Sequence, residues 1–147
     1  MLAFWFYSGY RKAPVLPLYE NDLINEQAQT VKINDFKGKY VLVSYFQTWC
    51  GDCIKELPGI DNLQSELGKN ELEVVMVSDE SWDKINRFKN KYCNTLEYYK
   101  SVKTLREQNI RVFPTTYLLN KEGEVLMSKL EGYNWSSDEV LNILINK

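Results

Sequence analysis

Trp49-Cys50-Gly51-Asp52-Cys53 sets two thiols two residues apart, a spacing that suits a dithiol–disulfide redox centre. Cys50 comes first and is expected to be the more exposed thiol and the attacking nucleophile. Cys53, one helical turn on, is expected to be more buried and to resolve the mixed disulfide. Glu56 lies a further turn along nearly the same face, where partial burial would let it exchange the Cys53 proton; a solvated helix carboxylate is the alternative. Trp49 is read as a lid beside Cys50, with core packing as its competitor. Gly51 and Asp52, between the thiols, are the tuning positions: Asp52 suits the helix dipole yet opposes ionisation of Cys50, so its net sign stays open. The chain has no histidine, which removes His-based triads and His-ligated metal or haem sites. A third cysteine, Cys93, is read as a buried structural thiol.

The elements that must position this pair are legible on either side of it. Tyr40 to Phe46 is a near-continuous apolar run of strand length, the pattern of a strand covered on both faces. Ile54, Leu57, Ile60, Leu63 and Leu67 recur at helical spacing until Gly68, the stop signal, with Pro58 predicted to kink the helix. The cysteines therefore fall at a helix N-terminus, where unpaired N–H groups and the dipole favour a thiolate. Glu73 to Val77 predicts a second central strand, and Trp82, Ile85, Phe88 and Tyr92 a helix capped by Ser81. Leu96 to Tyr99 predicts another strand and Val102 to Gln108 a short helix. Thr115 to Asn120 and Glu124 to Lys129 form a hairpin across Lys121-Glu122-Gly123. Ser136-Ser137-Asp138-Glu139 opens a final helix with capping-box spacing. Thr30 to Ile33 alternates like an edge strand, Asn34 to Lys39 is a turn, and Asn21 to Gln29 reads as a polar loop.

With 147 residues and 44% apolar composition, one compact core suffices. A formal charge of −2 offers no broad basic field, so no nucleic-acid partner is expected. Residues 1–12 are set apart as a tail or the remnant of a membrane anchor, and 13–147 as a single domain. Met1 to Tyr10 is apolar but too short to span a bilayer, and Arg11 and Lys12 resemble a juxtamembrane flank. Pro14 and Pro17 predict an extended edge segment from Ala13 to Tyr19.

The order of strand, Trp-Cys-x-x-Cys helix, βα pairs, Phe113-Pro114-Thr115-Thr116, hairpin and terminal helix resembles the thioredoxin superfamily over nearly the whole chain. Within it, the N-terminal extension, the helix and strand between Ser81 and Tyr99, and Cys53-Ile54-Lys55-Glu56-Leu57-Pro58 resemble the TlpA/ResA-like thiol–disulfide oxidoreductases. The resemblance implies an α/β fold, a three-layer sandwich with a central mixed sheet flanked by helices, an N-terminal extension and a helix–strand insertion. It implies a cis Phe113–Pro114 peptide presenting backbone to an extended substrate, and it supports the proton-transfer role of Glu56. Asp52 replaces the proline usual between thioredoxin cysteines, and Ser44 stands where thioredoxins bury an acid, which leaves the redox potential open.

The function expected by resemblance is reduction of protein disulfides outside the cytoplasm, periplasmic or membrane-anchored, with the cytoplasm as the alternative. A membrane or protein thiol would donate electrons, and apocytochrome c cysteines are one substrate the resemblance brings in. No cofactor or metal is expected beyond the cysteine pair. A copper-delivery module using the same pair is one rival, though it would normally add a histidine. A thiol peroxidase is the other, though the Pro-x-x-x-Thr-x-x-Cys pattern is missing.

Overall fold

The computed structural model describes residues 13–15 and 21–145. The expected tail at 1–12, and Pro17 with its neighbours, lie outside the described residues; Ala13, Pro14 and Val15 form no strand. The frame is one seven-stranded sheet built from β1 (Leu23–Ile24), β2 (Thr30–Val31), β3 (Tyr40–Tyr45), β4 (Leu72–Ser78), β5 (Glu97–Ser101), β6 (Thr115–Leu119) and β7 (Val125–Leu130). Its order is β2-β1-β5-β4-β3-β6-β7, with β3, β4 and β5 parallel and the remaining neighbours antiparallel. The helices are α1 (Gly51–Leu67), α2 (Trp82–Tyr92) and α3 (Asp138–Ile145). This is the thioredoxin-like sandwich with additional elements.

The continuous apolar runs make β3 and β4 central. Alternate residues serve opposite faces: Leu42, Phe46, Val74 and Met76 join one cluster, while Val41, Val43, Tyr45, Val75 and Val77 join the other. The buried faces of all three α-helices belong to the first cluster, through Leu57, Ile60, Leu63, Ile85, Phe88, Val140 and Leu144. The second is closed by Tyr99, Tyr117 and the short 3-10 segments Ile33–Phe36 and Arg106–Gln108 with their neighbours Leu105 and Ile110.

Several local expectations are corrected. The 21–29 loop contains β1, because Leu23 is buried and pairs with Ser101 and Val31; two residues are too few for periodicity to register. The helix expected over 102–108 shrinks to one 3-10 turn, with Asn109 left-handed behind it. The strand expected at 96–99 is shifted to Glu97–Ser101. Cys93 is half-buried and not buried as expected: it is the C-cap of α2, past the helix's last buried residue, Phe88, and its sulfur lies 3.3 Å from Thr95 Oγ1. α1 continues through Pro58, and Gly68 ends it at φ 79°, a left-handed angle that glycine adopts without a Cβ clash.

Candidate active site

β3 ends in the middle of the sheet, and its chain continues through Gln47-Thr48 to the start of α1. Two acids after β4 hold that connection. Glu80 accepts from Thr48 N and Thr48 Oγ1, both at 2.7 Å, while Asp79 accepts from Gln47 Nε2 at 3.0 Å and Leu105 N at 2.8 Å. Adjacent parallel strands bring their C-terminal ends together, so acids following β4 reach the loop following β3.

Cys50 is the N-cap of α1, and its sulfur accepts from Cys53 N at 3.2 Å. The same sulfur donates to Phe113 O at 3.5 Å, which joins the helix terminus to the loop before β6. The Phe113–Pro114 peptide is cis, as the resemblance implied, and Pro114 is buried. Trp49 is 71% exposed and meets Phe113 edge-on at 6.0 Å, so core packing is not its role. Ser44 is buried under the site with its hydroxyl 3.0 Å from Thr116 Oγ1, a neutral pair where an acid was noted as missing.

Both thiols are buried, Cys50 at 6% exposure and Cys53 at 2%, so Cys50 is the more exposed of the two, as expected, though by a small margin. The Phe113 loop covers it. Burial, first of all, pushes the Cys53 thiol far up; the neighbouring Cys50 and the charge of Glu56 add to this, against a backbone hydrogen bond at Gln47. Cys53 is thus held as a thiol until a base takes its proton.

Glu56 is 4% exposed, and the solvated alternative is overturned. Burial raises its carboxyl from 4.5 to about 7, with the charge of Asp52 contributing, against hydrogen bonds from Tyr133 N at 2.8 Å and Trp135 Nε1 at 3.1 Å. Both donors reach Oε1; Oε2 is buried without a partner. Residues 134–136 pack closely on α1 at Gly59, where a Cβ would sit 3.3 Å from Asn134 Oδ1. Asp52, Lys55 and Glu56 line a groove of about 580 Å³ together with Gly132 and Tyr133. Gly51 is exposed, with nothing within 4 Å of a Cβ placed there.

Sequence reasoning missed Tyr133 and Trp135, and likewise Asp79 and Glu80. The one signal for Trp135 was an indole whose N–H needs an acceptor once buried. Trp135→Phe keeps most of the ring and removes that donor. Losing a hydrogen bond to the ionised carboxylate is expected to move the Glu56 titration upward by about one pH unit. A carboxyl carbon-13 shift titration reads this directly, and an unmoved midpoint would show that the indole does not act on the carboxylate.

Comparison with known proteins gives a consistent picture. The AhpC/TSA family model matches residues 12–128. The chain is 28% identical over 137 residues to the thiol-disulfide oxidoreductase ResA of Oceanobacillus iheyensis, covering 84% of this chain and 71% of that protein. It is 33% identical over 98 residues to the thioredoxin-like protein YneN of Bacillus subtilis, covering 63% of this chain and 57% of the other. Among solved structures, a thiol:disulfide interchange protein from Bacteroides sp. superposes with a TM-score of 0.73 at 22% identity, over 86% of each chain, a likeness of fold.

Proposed function

The chain belongs to the AhpC/TSA family of the thioredoxin superfamily and is a ResA-like thiol–disulfide oxidoreductase, and from that premise we propose that it reduces protein disulfides through Cys50, with Cys53 resolving and Glu56 as the base. The observation that carries this reading is the unequal setting of the two sulfurs. Cys50 Sγ caps the helix terminus beside the Phe113 carbonyl, whereas Cys53 is held protonated next to a carboxyl that titrates near about 7.

The Cys50 thiolate attacks one sulfur of the substrate disulfide. A Cys50–substrate disulfide forms, the substrate S–S bond breaks, and the first substrate sulfur leaves as a thiolate. Glu56 then takes the Cys53 proton, and the Cys53 thiolate attacks Cys50 Sγ, which releases the second substrate thiolate. Two electrons pass to the substrate, the two cysteine protons end on its thiols, and a Cys50–Cys53 disulfide remains for a dithiol donor to reduce. The exposed Trp49 and the Phe113–Pro114 loop supply the contact surface for an extended substrate segment. Gly51 and Asp52 tune the pair, Asp52 through its charge on Glu56. By resemblance to the TlpA/ResA-like proteins, its site of action is outside the cytoplasm, in the periplasm or at a membrane anchor, with a membrane or protein thiol as donor. No helix among the described residues is long and apolar enough to cross a membrane. No three potential metal ligands cluster among the described residues.

Equilibration of the cysteine pair against glutathione and dithiothreitol buffers, followed by trapping of free thiols, tests the direction of electron flow. A reductase is expected at or below about −270 mV, whereas about −120 mV would make the protein an oxidant. Failure to form the disulfide at any poise would remove the redox reading altogether.

A further inference from the structure

Two grooves flank the connection that carries Trp49 and Cys50, and both present cations. One, about 290 Å³, lies between Thr48 and α2 and is lined by Lys84, Arg87 and Lys91. The other, about 360 Å³, runs from Gln47 and Phe113 to the 3-10 turn and is lined by Arg106 and Arg111. Five positive side chains therefore line the grooves that reach Thr48 and the half-buried Phe113, on either side of the exposed Trp49, in a chain whose net charge is −2. Asp79 also lines the second groove, and it, Glu80 and Glu107 keep their charge while held by neutral donors, Asp79 by Gln47 and Leu105 N, Glu80 by Thr48 and Glu107 by Thr104 N; Asp83 pairs with Arg87. Among the described ion pairs, only Arg87 of the five has an acidic partner.

Resting on the disulfide-reductase reading, we propose that these grooves seat the two arms of an extended polypeptide whose residues flanking the reactive cysteine are acidic. The aromatic pair lies under the disulfide segment, and the cations read charge on either side of it. The electron-transfer step is the one already described, with the substrate disulfide as oxidant. Cationic grooves around a nucleophile raise the encounter rate with an anionic partner and exclude cationic ones.

The test compares kcat/KM for three disulfides: a peptide with Asp and Glu flanking its cysteine, the same peptide with Lys at those positions, and neutral hydroxyethyl disulfide. An acidic-over-basic preference of about tenfold is expected, the sum of a few weak exposed pairs. It should collapse toward unity at 1 M salt, where the screening length is about 3 Å. In Arg106→Glu/Arg111→Glu and in Lys84→Glu/Lys91→Glu the acidic-to-basic ratio should fall in each, and because it is taken within one variant, a general loss of activity does not imitate the effect. Equal use of both peptides, or a ratio unmoved by the substitutions, overturns the acidic-partner proposal while hydroxyethyl disulfide reduction leaves the reductase reading standing. If none of the three is reduced, the reductase reading fails and this inference with it.

Discussion

Cys53→Ser is expected to convert a turning-over reductase into a trap that holds its substrate as a covalent adduct on Cys50. The first half-reaction needs only Cys50, whose sulfur caps α1 and faces the Phe113 carbonyl; that cap is made to the backbone N–H of residue 53, which serine keeps. The second half-reaction has no other resolving group, since Cys93 lies at the far end of α2. Intramolecular attack between well-placed groups reaches effective molarities of order 10⁵ M or more, so millimolar external thiol replaces it at well below about 0.1% of the rate. Non-reducing electrophoresis and intact mass should show the adduct forming in proportion to substrate, with steady-state turnover down by at least about a thousandfold. Cys50→Ser should form no adduct. Appreciable turnover in the Cys53 variant, or an adduct on the Cys50 variant, would reverse the assigned order of the two thiols.

How much of this site was readable along the chain depends on how local each part is. The strand–helix junction was legible because a near-continuous apolar run before Cys50 marks β3 and a helical period after it marks α1, and Gly68 ends the helix by a local backbone property. The position of Pro114 before β6 was likewise legible from Phe113-Pro114-Thr115-Thr116 and the hairpin behind it. The burial of Glu56 was only conditional, because its place on α1 shows which face it shares with Cys53 and not what covers that face. The cover is Gly132-Tyr133-Asn134-Trp135, a stretch without periodicity, 77 and 79 residues away at its two donors. Distance in sequence also hid Glu80, which lies 32 residues from the Thr48 it holds. The order of exposure of the two thiols was legible from their places on α1, but the depth of Cys50 was not, because the Phe113 carbonyl it meets lies 63 residues away.

That cover sets up the second large effect, in which Glu56→Gln is expected to gain stability at alkaline pH and lose activity there. The carboxyl titrates at about 7 when folded against 4.5 in the open chain, so the folded protein binds the proton more tightly. The sign follows: this group's contribution is most favourable below about pH 4.5, declines as pH rises through about 7, and stays low above it. The full swing is on the order of 3 kcal/mol. Gln keeps an oxygen for Tyr133 N and Trp135 Nε1 and never becomes charged, but it places an amide where Oε2 has no partner, at a cost of about 1–3 kcal/mol. The variant should therefore be the less stable protein near pH 5 and the equal or more stable one at pH 8. Urea unfolding of the reduced proteins at both pH values measures the difference in slope, and parallel dependences would remove Glu56 as its source. In the wild type, disulfide reduction should rise through about pH 7 as the carboxylate forms and accepts the Cys53 proton; the variant should lack that limb. A buried carboxyl with one unpartnered oxygen weakens the folded state at the pH where it is ionised, and the proposed role of proton acceptor beside a thiol that burial holds protonated would account for its retention.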